Sequence, residues 1–220
     1  MRLGYNKVHR LPHGYFGWRE ANNLGEVEEE EELPQLTVGD FFPSCHLVLL
    51  DDGRDKNYLQ IQHNERTISL EDIESEYIFI EMYNEYCHQC LEELKNYKVF
   101  YSMLTSRNPL GNKVKMMGIG VGSKKRQVAK FRRFHRIDFP LFADESAGIF
   151  ACLGKPDLPT SYLVQRQPNG GRKIILVQSG HIDSTEKLME KIESVVTGRR
   201  PADSTNASLA SSYSQWPVEI

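Results

Sequence analysis

A Cys87-His88-Gln89-Cys90 run stands where an apolar strand pattern gives way to a helical one, and nothing else in the sequence limits the fold as tightly. Tyr77-Ile78-Phe79-Ile80-Glu81-Met82-Tyr83 is rich in aromatic and β-branched residues and reads as a buried strand. After the pair, Cys90, Leu91, Leu94, Tyr97, Tyr101 and Leu104 recur at three- and four-residue spacing, which predicts a helix. On the first turn of a helix, the first sulfur of a Cys-x-x-Cys lies over unpaired backbone N–H groups and the positive end of the helix dipole. Both favour thiolate over thiol. The second sulfur shares that face and is close enough to close a disulfide. Half of a zinc site and two unrelated core cysteines are the other readings of the pair. Redox chemistry is favoured over zinc because no second ligand pair accompanies it.

The remaining cysteines, Cys45 and Cys152, are scattered. One close pair with two scattered partners suits a reducing compartment and a working dithiol better than a secreted disulfide scaffold. Cys45 and Cys152 are expected to be small buried hydrophobes. A formal charge of -3 over 220 residues gives no overall pull toward nucleic acid or anionic membrane. No apolar run reaches the length of a membrane span, and Met1 to Trp18 alternates polar, aromatic and basic residues without a signal segment. The chain as printed is therefore expected to be cytoplasmic.

Residues 1–34 read as an extension: an aromatic cluster, Gly14 to Trp18, then five consecutive glutamates from Glu28 to Glu32, closed by Leu33-Pro34. Such a charge run predicts a solvated linker. From Arg199 to Ile220 the chain is Ser- and Ala-rich without periodicity and is expected to be a disordered tail. Residues 35–198 carry alternating elements. A short strand at Leu47–Leu50 precedes a turn signal at Asp51-Asp52-Gly53, and Thr67–Leu70 leads into an acidic turn. Val114–Val121 is a second buried strand, and Ser123 is placed to cap a helix running to about Arg136. A strand begins at Pro140-Leu141-Phe142, and Asp144 caps a helix carrying Ile149, Phe150 and Leu153, with Gly154 as its stop. Ser161–Val164 and Lys173–Val177 flank a hairpin signal, Pro168-Asn169-Gly170-Gly171. Asp183 and Glu186 form a capping box for the last helix, which ends near Gly198. The order β-α-β-α-β-α-β-β-α implies an α/β fold: a mixed central sheet with helices on both faces.

Across roughly Leu36 to Val196 this ordered set resembles the thioredoxin fold. The likeness is to the branch shared by cytochrome-maturation disulfide reductases and the alkyl hydroperoxide reductase/thiol-specific antioxidant group. Val38-Gly39-Asp40-Phe41-Phe42-Pro43 is similar to that branch's Gly-Asp-x-x-Pro opening, Leu158-Pro159-Thr160 to its cis-proline loop, and Gly180 to the small residue before the final helix. The peroxidase relatives carry Pro-x-x-x-Thr-x-x-Cys. Counted back from Cys87 those places hold Ile80 and Asn84, and from Cys90 they hold Tyr83 and Cys87, so the motif is absent. Tyr86 stands where a tryptophan is usual, and His88-Gln89 replaces the common Gly-Pro or Pro-Pro.

Cys87 at the helix start is the expected attacking thiol, and Cys90, one turn in, the resolver. Cys90 must lose its proton first, so a nearby base would help. The resemblance implies two carboxylates: Glu81, at the place of the buried acid beneath the disulfide in thioredoxin, and Glu93, which matches a glutamate near the pair in the cytochrome-maturation branch. On the residues alone, Glu81 is also compatible with the solvent face of a strand, and Glu93 with an ordinary exposed helix position. His88, when protonated, would stabilise the Cys87 thiolate; a solvent-facing histidine without effect is the other reading. Tyr86, Leu158, Pro159 and Thr160 are expected to meet substrate, with the Leu158 backbone pairing to an extended peptide. Lys124, Lys125, Arg126, Lys130, Arg132, Arg133 and Arg136 read as a solvated face, with docking of an acidic partner as the alternative. Nucleic-acid binding is not expected without an aromatic platform. The sequence thus predicts a protein dithiol–disulfide oxidoreductase fed by another thiol system, needing no metal or organic cofactor. A thiol-dependent peroxidase and a non-catalytic binding module are the alternatives.

Overall fold

The computed structural model describes residues 33–106, 110 and 113–198. The aromatic cluster, the glutamate run and the serine-rich tail expected from the sequence lie outside them. The described residues belong to one compact unit that begins at Leu33.

Strand β3 (Tyr77–Tyr83) is buried along its whole length, as its uninterrupted apolar sequence requires. It is the middle strand of a five-stranded sheet. On one side it pairs in parallel with β4 (Val114–Val121), which pairs in parallel with β5 (Leu141–Asp144). On the other it runs antiparallel to β6 (Thr160–Arg166), which forms a hairpin with β7 (Arg172–Ser179). Alternation along β3 divides the interior. Tyr77, Phe79 and Tyr83 pack with Cys90, Leu94, Tyr97 and Phe100 of α2 (His88–Thr105) and with Leu188, Met189 and Ile192 of α5 (Thr185–Thr197). Ile78, Ile80 and Met82 pack on the opposite side with Leu153 and with residues of β1 (His46–Val48) and β2 (Thr67–Ser69), which form a separate two-stranded sheet. Ile149 and Phe150 of α4 (Gly148–Cys152) lean against that second core. The mixed sheet with helices on both faces is the architecture the element order implied, with a small sheet added to one face.

The Gly39–Phe42 segment lies along β7, with Gly39 donating to the Ile174 carbonyl (2.9 Å), Ile174 to Asp40 (2.8 Å) and Phe42 to Arg172 (2.8 Å), which covers an otherwise open edge. Arg172 is fully buried. Its guanidinium donates to the carbonyls of Leu70, Ile73 and Ser75, tying the 3₁₀ turn Leu70–Asp72 to the end of β7.

Three local expectations are corrected. The Asp51-Asp52-Gly53 signal opens a helix, α1 (Asp52–Leu59), because the Asp51 carboxylate accepts from the amides of Gly53 (3.1 Å) and Arg54 (3.0 Å) and so caps it. Helix α3 (Lys125–Phe134) starts after Lys124, whose amide donates to Gln127 Oε1 (3.0 Å); Ser123 is buried with an unpartnered hydroxyl and caps nothing. The cap of α5 is Ser184 rather than Asp183, with the Lys187 amide donating to Ser184 Oγ (3.3 Å). Asp144 does serve α4, accepting from the amides of Ile149 (3.2 Å) and Phe150 (3.0 Å). Gly154 follows at φ +77°, where the Pro34–Gln35 backbone occupies the space a side chain would need.

Candidate active site

Cys87 is the N-cap residue of α2, and the turn before it is built by Asn84. The Asn84 side chain donates to the Val121 carbonyl (2.8 Å) and accepts from the Tyr86 amide (2.8 Å), while its carbonyl accepts from the Cys87 amide (3.1 Å). This latch fixes the first cysteine against the end of β4. Cys87 and Cys90 are joined as a disulfide with Cα atoms 5.2 Å apart. The Cys90 amide donates to Cys87 Sγ (3.1 Å), so a backbone N–H of the helix start points at the sulfur that would carry thiolate charge. Cys87 is half-buried and Cys90 buried, the order of access that attack and resolution require.

The Leu158–Pro159 peptide is cis. The Leu158 carbonyl oxygen lies 3.8 Å from Cys87 Sγ, and the Pro159 carbonyl accepts from the Gly180 amide (2.9 Å). Thr160 is buried; its hydroxyl donates to the Asp157 carbonyl (2.6 Å) and bonds to Ser179 Oγ (3.0 Å), so its side chain shapes the loop from inside and is not at the surface. Leu158 is half-buried and Pro159 buried beneath it.

Both carboxylates singled out from the sequence are interior groups. Glu81 is 2 % exposed, on the side of β3 that faces α2, and burial together with the nearby Glu93 charge pushes its carboxyl up to about 8. Glu93 is equally buried, one turn after Cys90 on the same helix. Its carboxylate accepts from Asn96 Nδ2 (2.9 Å), which also donates to the Ile182 carbonyl (3.2 Å), and it contacts His181 Nδ1. The solvent-face readings of both residues are thereby excluded. His181 had no signal in the sequence: it is a lone loop histidine, and its partner lies 88 residues away.

His88 lies on the open surface of α2. Its ring turns along the helix surface to Glu92 (3.3 Å), both side chains largely exposed. Tyr86, 81 % exposed, borders a cleft of about 240 Å³ lined with Lys130, Phe131 and the 78 % exposed Phe134. Lys124, Arg126, Lys130, Arg133 and Arg136 of the basic run are exposed, and Lys130 is the one that lines this cleft. Arg132 is not part of that face: it is buried and forks onto Asp55 of α1 through two 2.7 Å contacts. Cys45 is buried as expected, its thiol pushed up to about 12 chiefly by burial, but Cys152 is exposed; neither joins the pair. Among the described residues no helix is long and apolar enough to cross a membrane.

A family model described as the AhpC/TSA family matches residues 38–197. No curated protein sequence matches the chain. Among solved structures, a Chlorobium tepidum protein described as a thiol:disulfide interchange protein DsbE aligns at 16 % identity and TM-score 0.55, over 74 % of this chain and 99 % of its own. A Bacteroides thetaiotaomicron protein described as a protein disulfide isomerase aligns at 16 % and 0.56, over 74 % and 91 %. Mycobacterium bovis AhpC aligns at 14 % and 0.55, over 79 % and 100 %. At these identities the likeness concerns the fold, which is thioredoxin-like.

Proposed function

The chain belongs to the AhpC/TSA family, and on that footing we propose that it is an oxidoreductase exchanging disulfides with protein substrates through Cys87 and Cys90. The observation that carries this reading is the bonded pair at the start of α2, with its half-buried sulfur 3.8 Å from the Leu158 carbonyl. In the reducing direction, the Cys87 thiolate attacks one sulfur of a partner disulfide. That S–S bond breaks, a mixed disulfide forms, and one partner sulfur leaves as thiolate. Cys90, having lost its proton, attacks Cys87 Sγ; the mixed disulfide breaks and the second partner sulfur leaves. Two electrons pass to the partner, whose thiolates take up protons, and the protein is left with the Cys87–Cys90 disulfide. An upstream thiol reductant resets it, and the same steps reversed would oxidise a partner dithiol. The exposed Tyr86, next to Cys87 in the chain, and the exposed Phe134 that lines the same cleft suit a polypeptide partner, because large aromatic side chains recur as anchors at such surfaces.

Reduction of insulin by dithiothreitol tests the reading. The wild type accelerates it, and Cys87→Ser does not. Equal rates for the two proteins reject the proposal and favour a non-catalytic binding module. The family match also favours a second reading, a thiol-dependent peroxidase in which Cys87 is oxidised by peroxide and Cys90 resolves it. Peroxide consumption driven by dithiothreitol and lost in Cys87→Ser is its signature.

A further inference from the structure

The chemistry above leaves one step without a visible route: the proton of Cys90, a buried thiol beside buried carboxyls, has to reach water. Glu93 sits one helical turn from Cys90 and is 2 % exposed. The group that touches its carboxylate from outside is His181, in the loop between β7 and α5, with a side chain 71 % exposed. One ring nitrogen, Nδ1, meets Glu93, leaving Nε2 on the solvent side of an open ring. Asn96 holds the other carboxylate oxygen and the Ile182 carbonyl together, so Glu93 is fixed facing the histidine. The Gly180 amide anchors the same loop to Pro159.

We propose that His181 is the proton port of the dithiol, carrying the proton that Cys90 gives up from Glu93 to water. The proposal rests on the thiol–disulfide reading. As Cys90 attacks Cys87 Sγ, its proton passes to the Glu93 carboxylate, then to His181 Nδ1, while Nε2 releases one to water. No electrons move along this path, and the ring returns to its starting form by exchange with solvent. An imidazole is the side chain suited to the task, since it accepts at one nitrogen and donates at the other in the neutral range. The titratable groups around the carboxylate are Glu81 from β3, Cys90 and Tyr97 from α2, and His181 itself. Tyr97 and Glu81 are interior, so His181 is the member of this set that reaches water.

The experiment uses the full chain, reduced and carrying Cys152→Ser so that this exposed thiol releases nothing, mixed with one equivalent of Ellman's reagent in a stopped-flow instrument. Attack by Cys87 releases a first thionitrobenzoate, and resolution by Cys90 releases a second. In His181→Ala the ratio of the second rate to the first falls about tenfold or more near neutral pH. Added imidazole restores it, and the pH dependence of the second phase changes shape. His181→Gln, which retains a hydrogen-bonding group toward Glu93, is slowed alike. An unchanged ratio overturns the proposal, as does a His181→Gln protein that matches the wild type. A slowed variant that imidazole does not rescue also overturns it and leaves His181 as a positioning residue for Glu93. If the wild type itself releases no second thionitrobenzoate, the dithiol reading fails first, and the two failures are distinct.

Discussion

Gly180 donates its amide to the Pro159 carbonyl over 2.9 Å, one residue before His181 meets Glu93. The loop that would present backbone to a substrate and the loop that closes over the buried carboxylate therefore share a tether. Gly180 holds φ at +70°, and no atom lies within 4 Å of where a Cβ would stand. A methyl group there meets only backbone strain. Gly180→Ala is expected to lose about 1 kcal/mol in urea unfolding with the fold intact. A loss several times larger would mean that the loop had been displaced.

Glu81 makes stability depend on pH in a defined direction. Its carboxyl is raised from 4.5 to about 8, first by burial and then by the Glu93 charge. Below about pH 4.5 it is neutral whether the chain is folded or unfolded. As pH rises to about 8 the folded protein retains a proton that the unfolded chain has released, so stability falls; above that both forms are ionised and the loss is complete. Glu81→Gln removes this dependence. The variant is expected to gain on the wild type between pH 5 and pH 9, by an amount on the order of 5 kcal/mol at the alkaline end. Urea titrations of both oxidised proteins at several pH values would check it, and parallel curves would show that Glu81 is not held neutral.

What the sequence made legible were local patterns with one physical solution. The uninterrupted run Tyr77–Tyr83 has to be a central strand, and a Cys-x-x-Cys after it has to sit on a helix start. The Pro168–Gly171 turn set the hairpin, although β6 and β7 extend beyond Ser161–Val164 and Lys173–Val177 because cross-strand pairing continues to Thr160 and Ser179. The misses have two causes. Asp51 reads the same as the start of a turn and as a helix cap, since both use its carboxylate on the amides that follow. His181 and Glu93, like Asp55 and Arg132, are paired by tertiary structure across long sequence separations, so although Glu93 and Arg132 were noticed, nothing local named the partner of either.

The Asp55–Arg132 pair joins α1 to α3 through buried groups, 1 % and 7 % exposed at the side chain. Removing the carboxylate leaves a guanidinium in the interior with only the Ile137 and Asp138 carbonyls for company. Asp55→Ala is expected to destabilise by roughly 3–5 kcal/mol, as for other broken buried pairs. Neither residue borders the disulfide, so the midpoint potential of the Cys87–Cys90 couple should stay where it is. Chemical unfolding and a glutathione redox titration on the same preparation separate the two effects.

A protonated His88 could tune the thiolate, but its ring is drawn to Glu92 on an open helix surface. Exposed pairs of this kind contribute little and are screened by salt. The helix-start amide of Cys90, at 3.1 Å from Cys87 Sγ, is the nearer electrostatic influence. His88→Ala is therefore expected to leave the midpoint potential and the pH at which Cys87 thiolate absorbance appears unchanged within error. A clear rise in that pH would show that the imidazole turns toward the sulfur when the pair is reduced.

The surface beside the pair predicts how substrates are told apart. The exposed Tyr86 and Phe134 both line the 240 Å³ cleft, and Lys130 of α3 brings positive charge to it alongside the single carboxylate of Glu85, in a chain whose net charge is -3. On the proposed chemistry, a small disulfide such as oxidised glutathione would need only the sulfur and the Leu158 backbone. A polypeptide would also lay an apolar side chain across the aromatic pair and gain from acidic neighbours. Phe134→Ser with Tyr86→Ala is expected to raise KM for an acidic peptide disulfide about tenfold, which is about 1.4 kcal/mol of lost anchoring. The rate with oxidised glutathione should change far less. Lys130→Glu should weaken the same peptide in a salt-dependent manner, the difference from wild type shrinking as ionic strength rises. Equal losses on both substrates would locate the effect at the disulfide itself and remove the cleft from recognition.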